Sequence, residues 1–95
     1  MPPVIRHGVD NTAGHCYAPT PIASGSPDVE VNGQQMCRVS DPIVVHCCPG
    51  ADCHGGNIAS GSPDTEANGL AVARNGDPID CGDSCSNGSG NVICN

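Results

Sequence analysis

The apolar positions of this chain never form a helical stripe. They come singly or in short alternations, separated by Gly, Pro, Asn and Asp. Val29-Glu30-Val31 alternates apolar and acidic, which is the period of a half-buried strand. Asn32-Gly33 follows, and Met36-Cys37-Arg38-Val39 returns. Asn-Gly between two such runs predicts a two-residue hairpin turn, because both central residues must take positive φ. The same signal recurs at Asn68-Gly69. Asp41-Pro42 and Asp77-Pro78 end the return strands, since proline cannot donate to a ladder and suits a turn. Gly25-Ser26-Pro27 and Gly61-Ser62-Pro63 break the chain ahead of each hairpin. The predicted class is all-β, built from short hairpins and loops.

These elements repeat. Residues 22–43 (IASGSPDVEVNGQQMCRVSDPI) and 58–79 (IASGSPDTEANGLAVARNGDPI) are identical at 14 of 22 positions at an offset of 36. A third, truncated copy, GSGNVICN at 88–95, places Gly88, Ser89, Val92 and Asn95 on Gly25, Ser26, Val29 and Asn32. It stops where the turn glycine would follow. The predicted organisation is a single domain over 1–95, with units of about 8–43, 44–79 and 80–95. Two and a half copies with short, unequal linkers suit closure around an axis, as a pseudo-threefold body, better than a linear stack.

Composition says why such a body needs help. The 95 residues hold no Phe or Trp, one Tyr and one Leu, and Leu, Ile, Val and Phe together make only 16 positions. A core of packed aromatic and Leu side chains is excluded, so a metal, disulfides or a partner must contribute. The net charge of −7, with three Arg and no Lys, argues against nucleic acid and anionic membrane surfaces. Apolar runs such as Ile43-Val44-Val45 are too short for a bilayer anchor. The opening MPPVIRHG has no apolar stretch of signal-peptide length. The expectation is therefore folding in a reducing cytosol, unless a dedicated machine exports the chain. Eight cysteines would mean bridges in a secreted mini-protein, which is the alternative class; without a leader they point to metal ligands and buried thiols.

One set of ligands falls in register with the repeats. His15 lies five residues after Asp10, His46 five after Asp41 and Cys81 four after Asp77. Around an axis these side chains converge, and His54 in the insert between the first and second copies supplies a fourth. Three imidazoles and one thiolate suit a tetrahedral zinc ion, structural because no position stays open for water. The rival set is Cys47, Cys48 and Cys53 with Cys85. His7 reads as a bystander, and Cys16, Cys37 and Cys94 as small buried hydrophobes or thiols able to cross-link. Arg38 and Arg74 are expected to pair with Asp41 and Asp77 or with carboxylates of the other unit. The acids Asp28/Glu30 and Asp64/Glu66 read as a solvated strand face rather than acid–base pairs. No nucleophile stands with a base, so no catalytic residue and no small-molecule substrate are predicted.

With these residues in view, the chain resembles the PAAR-repeat family, which caps the spike of bacterial type VI secretion systems and related contractile tails. The resemblance runs from about Gly8 to Asn95. It rests on the G-S-P-x-x-x-x-N-G units at Gly25 to Gly33 and Gly61 to Gly69, on His54-Gly55-Gly56, on Cys81-Gly82 and on the closing Gly88 to Val92. The Pro-Ala-Ala-Arg motif itself is reduced to Gln35-Met36-Cys37-Arg38 and Ala71-Val72-Ala73-Arg74, which keep only the Arg in common. The resemblance implies a small pseudo-threefold cone with one zinc ion held near its apex by His15, His46, His54 and Cys81. It also implies a base seated on a trimeric spike of the valine-glycine repeat (VgrG) type, one chain per trimer. The implied role is a structural tip that sharpens the spike, helps pierce target envelopes and helps carry effectors. The chain would stand in the bacterial cytoplasm before firing and be injected afterwards. No appended effector domain is expected, and a phage-tail tip is the nearest alternative.

Overall fold

A computed structural model describes residues 2–14, 19–47 and 53–94. No described residue is helical. Six two-residue strands form three antiparallel pairs: β1 (Glu30–Val31) with β2 (Gln34–Gln35), β3 (His46–Cys47) with β4 (Cys53–His54), and β5 (Glu66–Ala67) with β6 (Leu70–Ala71). The first and third pairs are the hairpins that Asn-Gly predicts. Asn32 and Gly33 take φ of 54° and 80°, and Asn68 and Gly69 take 56° and 78°. The molecule has one long axis and two nearly equal short ones, 39 × 23 × 22 Å.

The strands are short because each return segment leaves its own hairpin for another part of the chain. Beyond β2, Met36 bridges to Arg6 and Arg38 to Val72; beyond β6, Arg74 bridges to Val4. Three backbone hydrogen bonds close a ring where these segments meet. Cys37 N donates to Ile5 O, Ile5 N to Ala73 O and Ala73 N to Cys37 O, each at 3.0 Å. All three residues are fully buried. Neighbouring residues of an extended segment face opposite ways. Ile5, Cys37 and Ala73 therefore enter one apolar cluster with Ile22, Ile43, Ile58, Ile79 and Cys85, while Val4 and Val72 enter a second with Val31, Ala67 and Cys94.

Other contacts recur around this ring. Ile22 bridges to Ile43, Ile58 to Ile79 and Cys85 to Thr12. Ser26 N donates to Met36 O, Ser62 N to Val72 O and Ser89 N to Val4 O, at 2.8, 2.9 and 2.9 Å. A Cβ at the preceding residue has no room in any of these turns: at Gly25 it would stand 2.9 Å from Gln35 Cβ, at Gly61 2.5 Å from Val72 O, and at Gly88 2.6 Å from Pro3 Cβ.

The chain start completes the third unit. Pro3 bridges to Ile93, Val4 N donates to Val92 O at 3.0 Å and Cys94 N to Pro2 O at 3.2 Å. Residues 2–6 thus supply the return strand that residues 88–94 lack. All three arginines then do one job. Arg6 chelates Asp10, Arg38 chelates Asp41 and Arg74 chelates Asp77, each through Nε and Nη2 at 2.8–3.1 Å. Each aspartate also accepts its arginine's own backbone N–H, and each Nη2 reaches a glycine carbonyl, of Gly88, Gly25 and Gly61 respectively, at 3.3 Å. The predicted pairing of Arg38 and Arg74 is observed, and Arg6 joins it.

Candidate metal centre

His46 and His54 stand directly opposite each other in the β3–β4 pair. Their ring centroids are 4.6 Å apart and their Nε2 atoms 2.8 Å apart. His46 is buried and His54 half-buried. Facing ring nitrogens this close share one proton between them or share a cation.

The third donor comes from the turn that follows the second repeat. Gly82 N donates to Ile79 O at 3.0 Å and presents Cys81 at the turn's corner. This turn is drawn against the segment after β4: Asp80 N donates to Asn57 O at 3.0 Å, and Asn57 N to Asp80 Oδ1 at 2.9 Å. Gly56 makes the approach possible. A Cβ there would stand 2.8 Å from Asp80 Oδ1 and 3.0 Å from Cys81 Cβ. As a result the ligand atoms of His46, His54 and Cys81 all lie within 4.8 Å of one another. Donors on one tetrahedral zinc at bond lengths of 2.0–2.3 Å sit about 3.3–3.8 Å apart. The group fits a metal of this kind once the two Nε2 atoms open from 2.8 Å and all three donors settle into that spacing. Two imidazoles and a thiolate are the donor types that such an ion takes.

Of the four residues the sequence nominates, the structure brings these three together; His15 lies outside the described residues. Among described residues, the rival cysteine set does not gather. Cys47 and Cys53 are joined to each other in a disulfide, Cys85 is packed among isoleucines, and Cys48 lies outside the described residues. The sequence alone leaves the redox state of Cys47 and Cys53 open, and the structure joins them. The cause is local, because the register sets the two cysteines opposite each other with Cα atoms 3.9 Å apart. Cys37 and Cys94 are buried, as read from sequence, and Cys16 lies outside the described residues. Burial pushes the Cys37 thiol far up and the Cys85 thiol up to about 12, so neither offers a thiolate at neutral pH.

The paired acids serve the turns. Asp28 accepts from Asn68 Nδ2 at 2.8 Å and, at 3.1 Å, shares the one Ser26 hydroxyl hydrogen with Asn68 Oδ1; these bonds hold its carboxyl below the usual range. Asp64 accepts from Ser62 Oγ at 3.2 Å. Glu30 and Glu66 are exposed on β1 and β5.

The Asn-Gly asparagines do more than supply the positive φ of their turns. Their side chains also tie each hairpin tip to another unit. Asn32 Oδ1 accepts from Ser89 Oγ at 2.6 Å, and Asn68 Oδ1 from Ser26 Oγ at 2.5 Å. The recurrence of both Asn and Ser in every copy was the available signal.

The PAAR motif family profile matches residues 12–87. The chain belongs to the PAAR motif family. Membership points to a general role at the spike tip of type VI secretion, and the PAAR family is structural rather than enzymatic. The match omits residues 2–11 and 88–94, the two stretches that pair with each other to finish the third unit. No curated protein matches the chain.

Proposed function

We propose that this chain caps and sharpens a trimeric VgrG-type spike, with one chain seated on each trimer. The closed ring of hydrogen bonds among Ile5, Cys37 and Ala73 carries the proposal. A threefold partner presents three equivalent edges, and a single chain meets all of them only if its own contacts recur in pseudo-threefold fashion. The cap covers strand ends that would otherwise invite edge-to-edge association. A zinc ion held by His46, His54 and Cys81, with His15 as the fourth ligand, stiffens the apex in place of a large core. The tip acts mechanically, piercing target envelopes and helping effectors through, without a catalytic step. It stands in the bacterial cytoplasm before firing and is injected afterwards.

Mass measurement of the chain mixed with a trimeric spike protein tests this. One chain per trimer is expected. Three chains per trimer, or no complex with any spike, would defeat the proposal.

A further inference from the structure

The three hairpins are held closed by different means. β1–β2 and β5–β6 have two-residue Asn-Gly turns, and their tips bond to neighbouring units through Asn32 and Asn68. β3 and β4 are two residues each, form a sheet of their own and are separated by residues 48–52. A longer connection costs more closure entropy, and so short a ladder is marginal by itself. The covalent tie across this pair is the Cys47–Cys53 disulfide. It bridges the position next to His46 and His54. Since successive side chains leave opposite faces of a strand, the cross-link occupies one face and the imidazoles the other. Both cysteines are exposed, unlike buried Cys37, Cys85 and Cys94. An exposed disulfide is open to thiol exchange.

We propose that the Cys47–Cys53 disulfide is a redox-responsive positioning element for the metal centre: closed, it holds His46 opposite His54; open, it lets the pair separate and the ion leave. This rests on reading His46, His54 and Cys81 as a metal site. Closure proceeds by exchange with a small disulfide such as oxidised glutathione. One glutathione disulfide is consumed, the Cys47–Cys53 bond forms, and the two cysteine protons end on two released glutathione thiols. Opening is the reverse, with two glutathione thiols as the reductant. A chain carried from a reducing to an oxidising compartment thereby tightens its hold on the ion.

The test is release of zinc from the full, zinc-loaded chain into a chromogenic chelator. It compares the oxidised protein with protein reduced by a phosphine that is removed before the assay. Reduction is expected to speed release about tenfold or more, the scale on which loss of outer support weakens metal sites. The Cys47→Val/Cys53→Val double variant keeps an apolar cross-strand pair and should release zinc fast with or without reductant. The backbone amide signals of Ile5, Cys37 and Ala73 should stay unchanged throughout, which separates local loosening from unfolding. Equal release rates, slower release after reduction, or loss of those amide signals would each overturn the proposal. Zinc bound by neither form would remove the metal reading along with it, whereas zinc bound equally well by both would overturn the redox role alone.

Discussion

Val4 donates its backbone N–H to Val92 O at 3.0 Å, so the first strand segment of the chain is hydrogen-bonded to the last. Val4 is buried in the cluster that holds Val72 and Cys94. The next residue, Ile5, both donates to and accepts from the central ring. Val4→Asp places an unpartnered carboxylate there and should cost at least about 3 kcal/mol. Urea unfolding measures it. A loss below about 1 kcal/mol, the surface-substitution scale, would mean that the two ends do not cooperate.

Asp10 makes stability depend on acid. Burial alone would raise its carboxyl, but hydrogen bonds from the Arg6 side chain, the Arg6 backbone and Gly88 N outweigh burial and hold it below the usual carboxylate range. A depressed folded-state value means that the contribution is complete above the unfolded value and lost as pH falls through the folded one. Asp10→Asn should cost about 1–3 kcal/mol at neutral pH. The gap between wild type and variant should close as unfolding is followed from about pH 6 to about pH 2. A gap that stays constant would contradict the pairing.

The two Asn-Gly hairpins were legible from sequence because their cause is local, and the isoleucine core left only a recurrence. Asn-Gly forces its turn wherever it stands, and the paired isoleucines, Ile22 with Ile43 and Ile58 with Ile79, recur at the repeat offset. What was not legible joins distant segments. The partnership of residues 2–6 with 92–94 carries a weak repeat signal, because Pro3-Val4-Ile5 matches Gln35-Met36-Cys37 and Ala71-Val72-Ala73 in register while only Val4 and Val72 share residue identity. The clearest clue is Arg6 with Asp10, equivalent to Arg38 with Asp41 and Arg74 with Asp77. The disulfide was hidden for another reason. Cys47 and Cys53 meet only once the β3–β4 register is known, and no turn motif between them declares that register.

Gly56 is the hinge between the imidazoles and the thiol. Gly56→Ala introduces a Cβ at 2.8 Å from Asp80 Oδ1, 3.0 Å from Cys81 Cβ and 3.1 Å from Ile79 Cγ2. The turn carrying Cys81 must retreat, at a cost of about 1–3 kcal/mol. Metal titration followed by calorimetry should show weaker binding, with His46 and His54 still in place by NMR. Unchanged affinity would mean that Cys81 is not a ligand.

Metal removal should be felt by the whole chain. A site filled only in the folded state adds its binding free energy to folding. Exhaustive chelation should lower the melting temperature by about 10 °C or more, and zinc should restore it. His46→Ala should melt near the metal-free value and gain nothing from zinc. Melting unaffected by chelation would remove the ion from the stability of the fold.

The most direct measurement is an anomalous difference map of the crystallised protein, recorded on both sides of the zinc absorption edge. One peak is predicted, at bonding distance of about 2.0–2.3 Å from His46 Nε2, His54 Nε2 and Cys81 Sγ, with His15 completing the sphere. A map without that peak, or with the ion among other cysteines and the two imidazoles turned apart, would contradict it.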